Sequence, residues 1–183
     1  MEICHIERMI FLRIRSLSRK IALLLILALL CLSCAALAED SKPQYAATKD
    51  FVAVLEANDL KYSYGGIDDD KDESIRISYS DDDFESIVFY IFVSDDSAQV
   101  SIRGWNLLTA SSGKSYALNT VNELNNKYKF AKFTFDESDN TVSVELDGYL
   151  SEDHPGEVIY RMMRALLNIL DADDCRQALK SLT

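Results

Sequence analysis

Basic residues, proline, histidine and tryptophan are all scarce in this 183-residue chain. Lys and Arg number 19 against 30 Asp and Glu, a net charge of −11. A nucleic-acid binder needs a basic face to neutralise phosphates, so this balance speaks against one. With only two prolines and six glycines, no Pro-rich or Gly/Ser stretch divides the chain into linked domains. Two histidines, His5 and His154, are too few for a His-rich zinc site. Four cysteines are too few for a disulfide-dense miniprotein. Long apolar runs are scarce as well, and the one present lies at the N-terminus. What remains is ordinary globular stock, 48% hydrophobic and 27% charged, which excludes a disordered tail or a collagen-like repeat.

The N-terminal run has the parts of a secretory signal peptide. Arg8, Arg13, Arg15, Arg19 and Lys20 precede 18 uncharged residues, Ile21 to Ala38. The run ends in Ala36-Leu37-Ala38, an A-x-A site, and Glu39 and Asp40 follow at once. Residues 1–38 are thus a leader with its cut after Ala38, and 39–183 a single domain. The basic region is long enough for Met9 to serve as an alternative start. Two other readings stay open. The run is close to the 20 or so apolar residues of a spanning helix, which would make it an uncleaved anchor. Leu32-Ser33-Cys34 is similar to the end of a lipobox, although Cys31 stands where Leu is usual, and lipidation at Cys34 would hold the domain to a membrane. In either case the membrane is met only through the leader.

Cleavage removes five basic residues, two acids and three cysteines. The 145 residues left carry 14 bases and 28 acids, a net charge of −14. Cys175 remains alone and reads as a small buried apolar group on the last helix.

Past the leader, hydrophobic periodicity predicts an α+β order. Tyr45 to Asn58 reads as a helix with Phe51, Val52 and Leu55 on one face. Lys61 to Tyr64 is a short strand closed by Gly65-Gly66. Asp68 to Glu73 reads as a solvated turn. Ile75, Ile77 and Tyr79 alternate in the next strand, and Asp81-Asp82-Asp83 turns the chain. The almost unbroken β-rich run Ser86 to Val93 predicts a central strand covered on both faces. Val100, Ile102 and Gly104 alternate with Ser101, Arg103 and Trp105 in a fourth strand, after which Leu107 and Leu108 open a loop. Such spacing of acidic turns suggests an antiparallel meander. Ser115 to Tyr128 is a second helix. Lys129 to Phe135 and Thr141 to Asp147 form a hairpin turned at Asp139-Asn140. A last helix starts near Pro155, capped by Asp153 or His154, with Ile159, Met162, Met163, Leu166, Leu167 and Leu170 as its core stripe.

Val121-Asn122-Glu123-Leu124-Asn125 followed by Tyr128-Lys129-Phe130-Ala131-Lys132-Phe133 resembles the signature of the YbjN family, an N-x-x-N helix end followed by a strand of alternating aromatic and basic residues. The hairpin turn at Asp136 to Asn140 and the opening helix with Asn58-Asp59-Leu60-Lys61-Tyr62 fit the same pattern. The resemblance covers Tyr45 to Leu170. It implies a fold similar to type III secretion chaperones, helices on a twisted antiparallel sheet, and a protein-binding module without enzymatic activity. The family is labelled one of sensory-transduction regulators, and most members lack a leader, which this chain has. Homodimerisation is open by the same analogy.

The residues offer few sites. Asn122 and Asn125 read either as a partner-binding patch or as helix-ending groups bonded to backbone. Trp105 reads either as a partner anchor or as core. Asp68, Asp70 and Asp72 have the opening of a calcium loop. The Gly and Glu required at its sixth and twelfth places are Glu73 and Tyr79, or Ser86 and Phe92 when the count starts at Asp81. Neither frame fits, and no metal is expected. His154 lacks a G-x-S-x-G partner motif for a triad. The residues after the leader hold no C-x-x-C, P-loop or dinucleotide motif, so no cofactor is expected. The expectation is an exported, non-catalytic module, periplasmic or secreted, that binds a protein, with its acidity favouring a basic one. The alternative is an envelope small-molecule binder or weak hydrolase using paired carboxylates.

Overall fold

The computed structural model describes residues 42–80, 86–151 and 153–183. The expected leader, with Cys34, Ala36 and Ala38, the residue Glu39 after its expected cut, and the expected turn at Asp81-Asp82-Asp83 lie outside the described residues. Pro43–Thr183 forms one compact unit. Its elements are α1 (Ala46–Ala57), β1 (Ser63–Ile67), β2 (Glu73–Tyr79), β3 (Ile87–Val93), β4 (Gln99–Thr109), α2 (Lys114–Lys127), β5 (Lys132–Asp136), β6 (Thr141–Tyr149), α3 (Pro155–Leu170) and α4 (Asp173–Lys180). Six strands make one antiparallel sheet in the order β1-β2-β3-β4-β6-β5. The expected α+β order, helix, meander, helix, hairpin, helix, is the order observed. Among the described residues no helix is long and apolar enough to cross a membrane.

Strand alternation builds the core. Ile75, Ile77, Phe89, Ile91, Val93, Val100, Ile102, Val142 and Val144 all point to one face and are almost fully buried. Phe51 and Leu55 of α1 and Ile159, Met163, Leu166 and Leu170 of α3 belong to the same cluster. Helix α1 ends where Asn58-Asp59 predicts. Asp59 takes φ 54°, and the Leu60 N–H reaches the Leu55 carbonyl at 3.0 Å, a Schellman closure.

The start of α1 overturns one expectation. Glu73 belongs to β2, not to a solvated turn, and it is fully buried. Its carboxylate accepts the Gln44 N–H at 2.5 Å, the Tyr45 N–H at 2.9 Å and the Tyr64 hydroxyl at 2.7 Å. Tyr45 itself makes no side-chain cap. A carboxylate from the sheet thus satisfies donors at the helix N-terminus, where negative charge is stabilising.

Helix α3 is also capped from a distance. His154, its N-cap residue, is left-handed at φ 55° and gives no side-chain cap bond. Instead Asp50 of α1 accepts the Gly156 N–H at 2.8 Å. The helices cross so closely here that a Cβ on Gly156 would lie 2.4 Å from the Asp50 carbonyl carbon and from the Phe51 nitrogen. The last helix is two helices. The chain turns at Asp171-Ala172, and Cys175 sits on α4, where it is completely buried. Burial pushes its thiol up to about 12. Leu182, also buried, ties the C-terminus back by accepting the Ser111 and Ser112 N–H groups at 2.8 and 3.0 Å.

Two strand boundaries and the cover of one strand differ from expectation. Gly65-Gly66 lies within β1, at an irregularity between Tyr64 and Gly66, and does not close the strand. Strand β5 starts at Lys132, not Lys129. Strand β3 is central, but among the described residues it is fully covered on one face only. Its residues alternate between buried and half-buried, with Val88, Tyr90 and Phe92 on the second face. An unbroken apolar run usually marks a strand covered on both faces, but here side chains from the neighbouring strands supply the partial cover.

Gly156→Ala is expected to lower stability by about 1–3 kcal/mol, since the methyl meets backbone that cannot rotate away; chemical denaturation measures it. The Cys175 thiol is expected to stay unmodified by a thiol reagent at a pH of about 8.5, where a free thiol is half ionised, until the protein unfolds.

Candidate binding surface on the uncovered sheet face

The sheet face away from the core lies open among the described residues. Register brings one residue from every strand into a single row across it: Ser63, Arg76, Tyr90, Arg103, Glu145 and Lys132. The Arg76 guanidinium lies 5.9 Å from the centre of the Tyr90 ring, within cation–π range. Arg103 pairs with Asp147 at 2.7 Å and Glu145 at 3.5 Å, and Lys132 reaches Glu145 at 3.2 Å. Ser101 donates to Asp147 at 2.7 Å. Burial pushes the Asp147 carboxyl up, but the Ser101 hydroxyl and the Arg103 charge outweigh it and hold the group below its ordinary value.

Trp105 stands on this face, half-exposed at 49%. Its ring centre is 4.9 Å from that of Tyr90 and 5.7 Å from that of Phe92, tilted by 37° and 52°. Tilted pairs at such distances are attractive beyond their buried area. Trp105 is therefore neither core against α2 nor the end of a strand. Strand β4 continues to Thr109 through an irregularity in which Trp105, Asn106 and Leu107 face the single residue Ser143. Asn106 takes φ 52° and donates its N–H to the Ser143 hydroxyl at 3.0 Å. A bulge of this kind bends the strand and re-aims a side chain. Sequence alternation located Trp105 on the correct face but gave no sign of the bulge.

Asn122 and Asn125 are not part of this surface. Helix α2 runs past both to Lys127, so neither is a left-handed cap. The Asn125 amide accepts the Phe133 N–H at 2.6 Å and donates to the Phe133 carbonyl at 2.9 Å. One side chain thereby occupies the outer main-chain groups of the edge strand β5. This is backbone bonding, as one of the two readings has it, but to a strand and not to the helix end. Asn122 is exposed on α2.

The acidic loop before β2 is turned on itself. Asp68 accepts the Asp70 N–H at 3.0 Å and the Asp72 N–H at 2.9 Å. Burial, followed by the charges of Asp68, Asp70 and Asp95, raises the Asp72 carboxyl above its ordinary value. Among the described residues no group of three or more His, Cys, Asp or Glu is placed to hold a metal ion. Glu145 and Asp147, carboxylates of the same sheet face as Trp105, are both ion-paired with Arg103. Comparisons with family models, with curated proteins and with solved structures found no match.

Asn125→Ala is expected to lower stability by about 1–3 kcal/mol, because two main-chain groups of Phe133 lose their partners. Asn122→Ala should stay within about 0.5 kcal/mol of the parent. Thermal melts of the two variants make the comparison.

Proposed function

We propose that the chain is an exported, non-catalytic binding module that docks a protein partner on the uncovered sheet face, serving the envelope as an adaptor, regulator or chaperone. The observation that carries this reading is the half-exposed Trp105 stacked on Tyr90 and Phe92 in the middle of an otherwise charged sheet face. Exposed aromatic clusters rimmed by polar groups mark interaction sites, and tryptophan is enriched among residues that dominate binding energy. The charged row supplies register: a partner must match cation, ring, cation, carboxylate and cation in that order. The acidic remainder of the chain steers basic partners toward it. Export is supported by the basic region, apolar run and A-x-A site at the N-terminus. The YbjN-like order of residues from Val121 to Phe133 favours a binding role over a catalytic one.

Trp105 is the only tryptophan, so its fluorescence reports on this face without labelling. Crosslinking with native envelope extract is expected to capture one stoichiometric partner at low salt and less of it at high salt. Adding that partner should shield Trp105 from a soluble quencher. Trp105→Ala should abolish capture while leaving the melting temperature close to that of the parent. Undiminished capture by Trp105→Ala, or quenching that the captured partner leaves unchanged, would refute the sheet-face assignment.

A further inference from the structure

A second surface lies on the opposite side of the sheet, where β6 outruns its neighbour. Pairing with β5 stops at Lys132 opposite Glu145, yet β6 continues to Tyr149. The chain leading into β5 swings outward, with Phe130 83% exposed. Among the described residues no strand lies beside the last residues of β6 on that side.

The direction of the free main-chain groups follows from Asn125. Because its amide takes both the N–H and the C=O of Phe133, those groups point away from β6, and Phe133 faces Val144 as a non-hydrogen-bonded pair. Antiparallel pairs alternate, so Glu145, Asp147 and Tyr149 direct their N–H and C=O groups toward the β5 side. For Asp147 and Tyr149 that side carries no strand.

Beside this edge runs an apolar groove of about 450 Å³. Its walls include Phe130, Val158, Met162, Ala165 and Ile169, and its floor is β6 from Leu146 to Gly148. At Gly148 the strand has no side chain, and a Cβ there would lie 2.6 Å from the Met162 methyl carbon. Arg161 is the cation in the wall. No carboxylate among the described residues pairs with it, and the acid of the lining, Asp147, is engaged by Ser101 and Arg103.

We propose that this groove binds an extended peptide segment as an added strand on β6, with apolar side chains at alternate positions facing α3 and a carboxylate paired with Arg161. The unpaired main-chain groups at the edge decide between occupants. A lipid chain would fill the apolar walls but leave the N–H and C=O groups of Asp147 and Tyr149 without partners. A peptide strand satisfies both, and alternate side chains give it specificity. The charge also matches: Arg161 is a cation in the groove wall with no carboxylate partner among the described residues, in a strongly acidic chain. The groove meets the open sheet face only at Asp147 and does not include Trp105, and the inference does not rest on Trp105.

The test is a synthetic array of octapeptides that varies apolar alternation and the position of a single Glu or Lys, probed with the full chain. Peptides with alternating apolar residues and one Glu are expected to bind about fivefold better than their Lys counterparts, the scale of one partly exposed ion pair. Arg161→Glu should reverse that preference. Ala165→Glu, at an exposed position in the wall, should abolish binding without unfolding the protein. Trp105→Ala should leave array binding unchanged, so failure here and failure at the sheet face remain distinguishable. In solution, the chosen peptide should slow amide exchange at Asp147 and Tyr149. The proposal is overturned if no alternating peptide binds, if Arg161→Glu leaves the charge preference unaltered, or if dodecanoate binds the groove and the peptides do not.

Discussion

Helices α1 and α3 cross at Gly156 with no room for a side chain, and the positions of both exposed surfaces follow from that crossing. Asp50 closes the contact by accepting the Gly156 N–H, so the N-terminus of α3 is anchored on the middle of α1. The apolar stripes of the two helices then point together at one face of the sheet, where Phe51, Leu55, Ile159 and Met163 meet Ile75, Phe89 and Ile91. With these helices committed to that side, the second face keeps only what its own strands supply. The same anchoring sets α3 alongside the far end of β6 and creates the groove there. Close approach of this kind makes an interior intolerant of even one added methyl group.

The contrast between local and distant information explains what was legible in the sequence. Alternation placed Ile75, Ile77, Val100 and Ile102 on the buried face and Arg103 and Trp105 on the other, because side-chain period depends on nothing beyond the strand itself. The Asn58-Asp59 helix end was legible for the same reason, as short polar side chains tolerate the left-handed backbone. Residues whose roles depend on a distant partner were not. Glu73 follows five residues of an acidic loop and carries the same charge, yet it is buried because the amides of Gln44 and Tyr45 and the Tyr64 hydroxyl converge on it. Asn125 lies within a helix and bonds to a strand eight residues on. The run from Ile87 to Val93 signals burial but carries no information on whether helices or neighbouring side chains provide it. In the candidate site, alternation put Trp105 on the same strand face as Arg103 but left anchor and core both open, and its exposure and its ladder partners required the register.

Charge is distributed unevenly, and the unevenness bears on both surfaces. Acids crowd the turns, as at Asp68 to Asp72, where Asp68 satisfies amides of its own loop. Bases are fewer, and three of them, Arg76, Arg103 and Lys132, share the open sheet face with only two carboxylates of the row and its neighbour, Glu145 and Asp147. These groups thus leave cations in excess there, within an acidic molecule. Exposed ion pairs of this type add little stability. Their effect lies in position: Arg103 engages both Glu145 and Asp147, while Trp105 beside it stays half-exposed.

The two parts of the β5–β6 edge are treated differently, and the difference is informative. A bare strand edge invites pairing with other chains, and proteins blunt such edges with bulges, charges or covering elements. At Phe133 the Asn125 amide does this with a single side chain, taking the donor and the acceptor that a foreign strand would need. A few residues away, from Leu146 to Tyr149, no side chain of the described residues performs the same service, although Asp147 on the strand is polar. Its carboxylate is instead turned to the opposite face, held by Ser101 and Arg103. That orientation removes a competitor for the main-chain groups at the edge. The ion pair that organises the open sheet face therefore also keeps the edge beside α3 available, so the two surfaces share one residue although they face opposite ways.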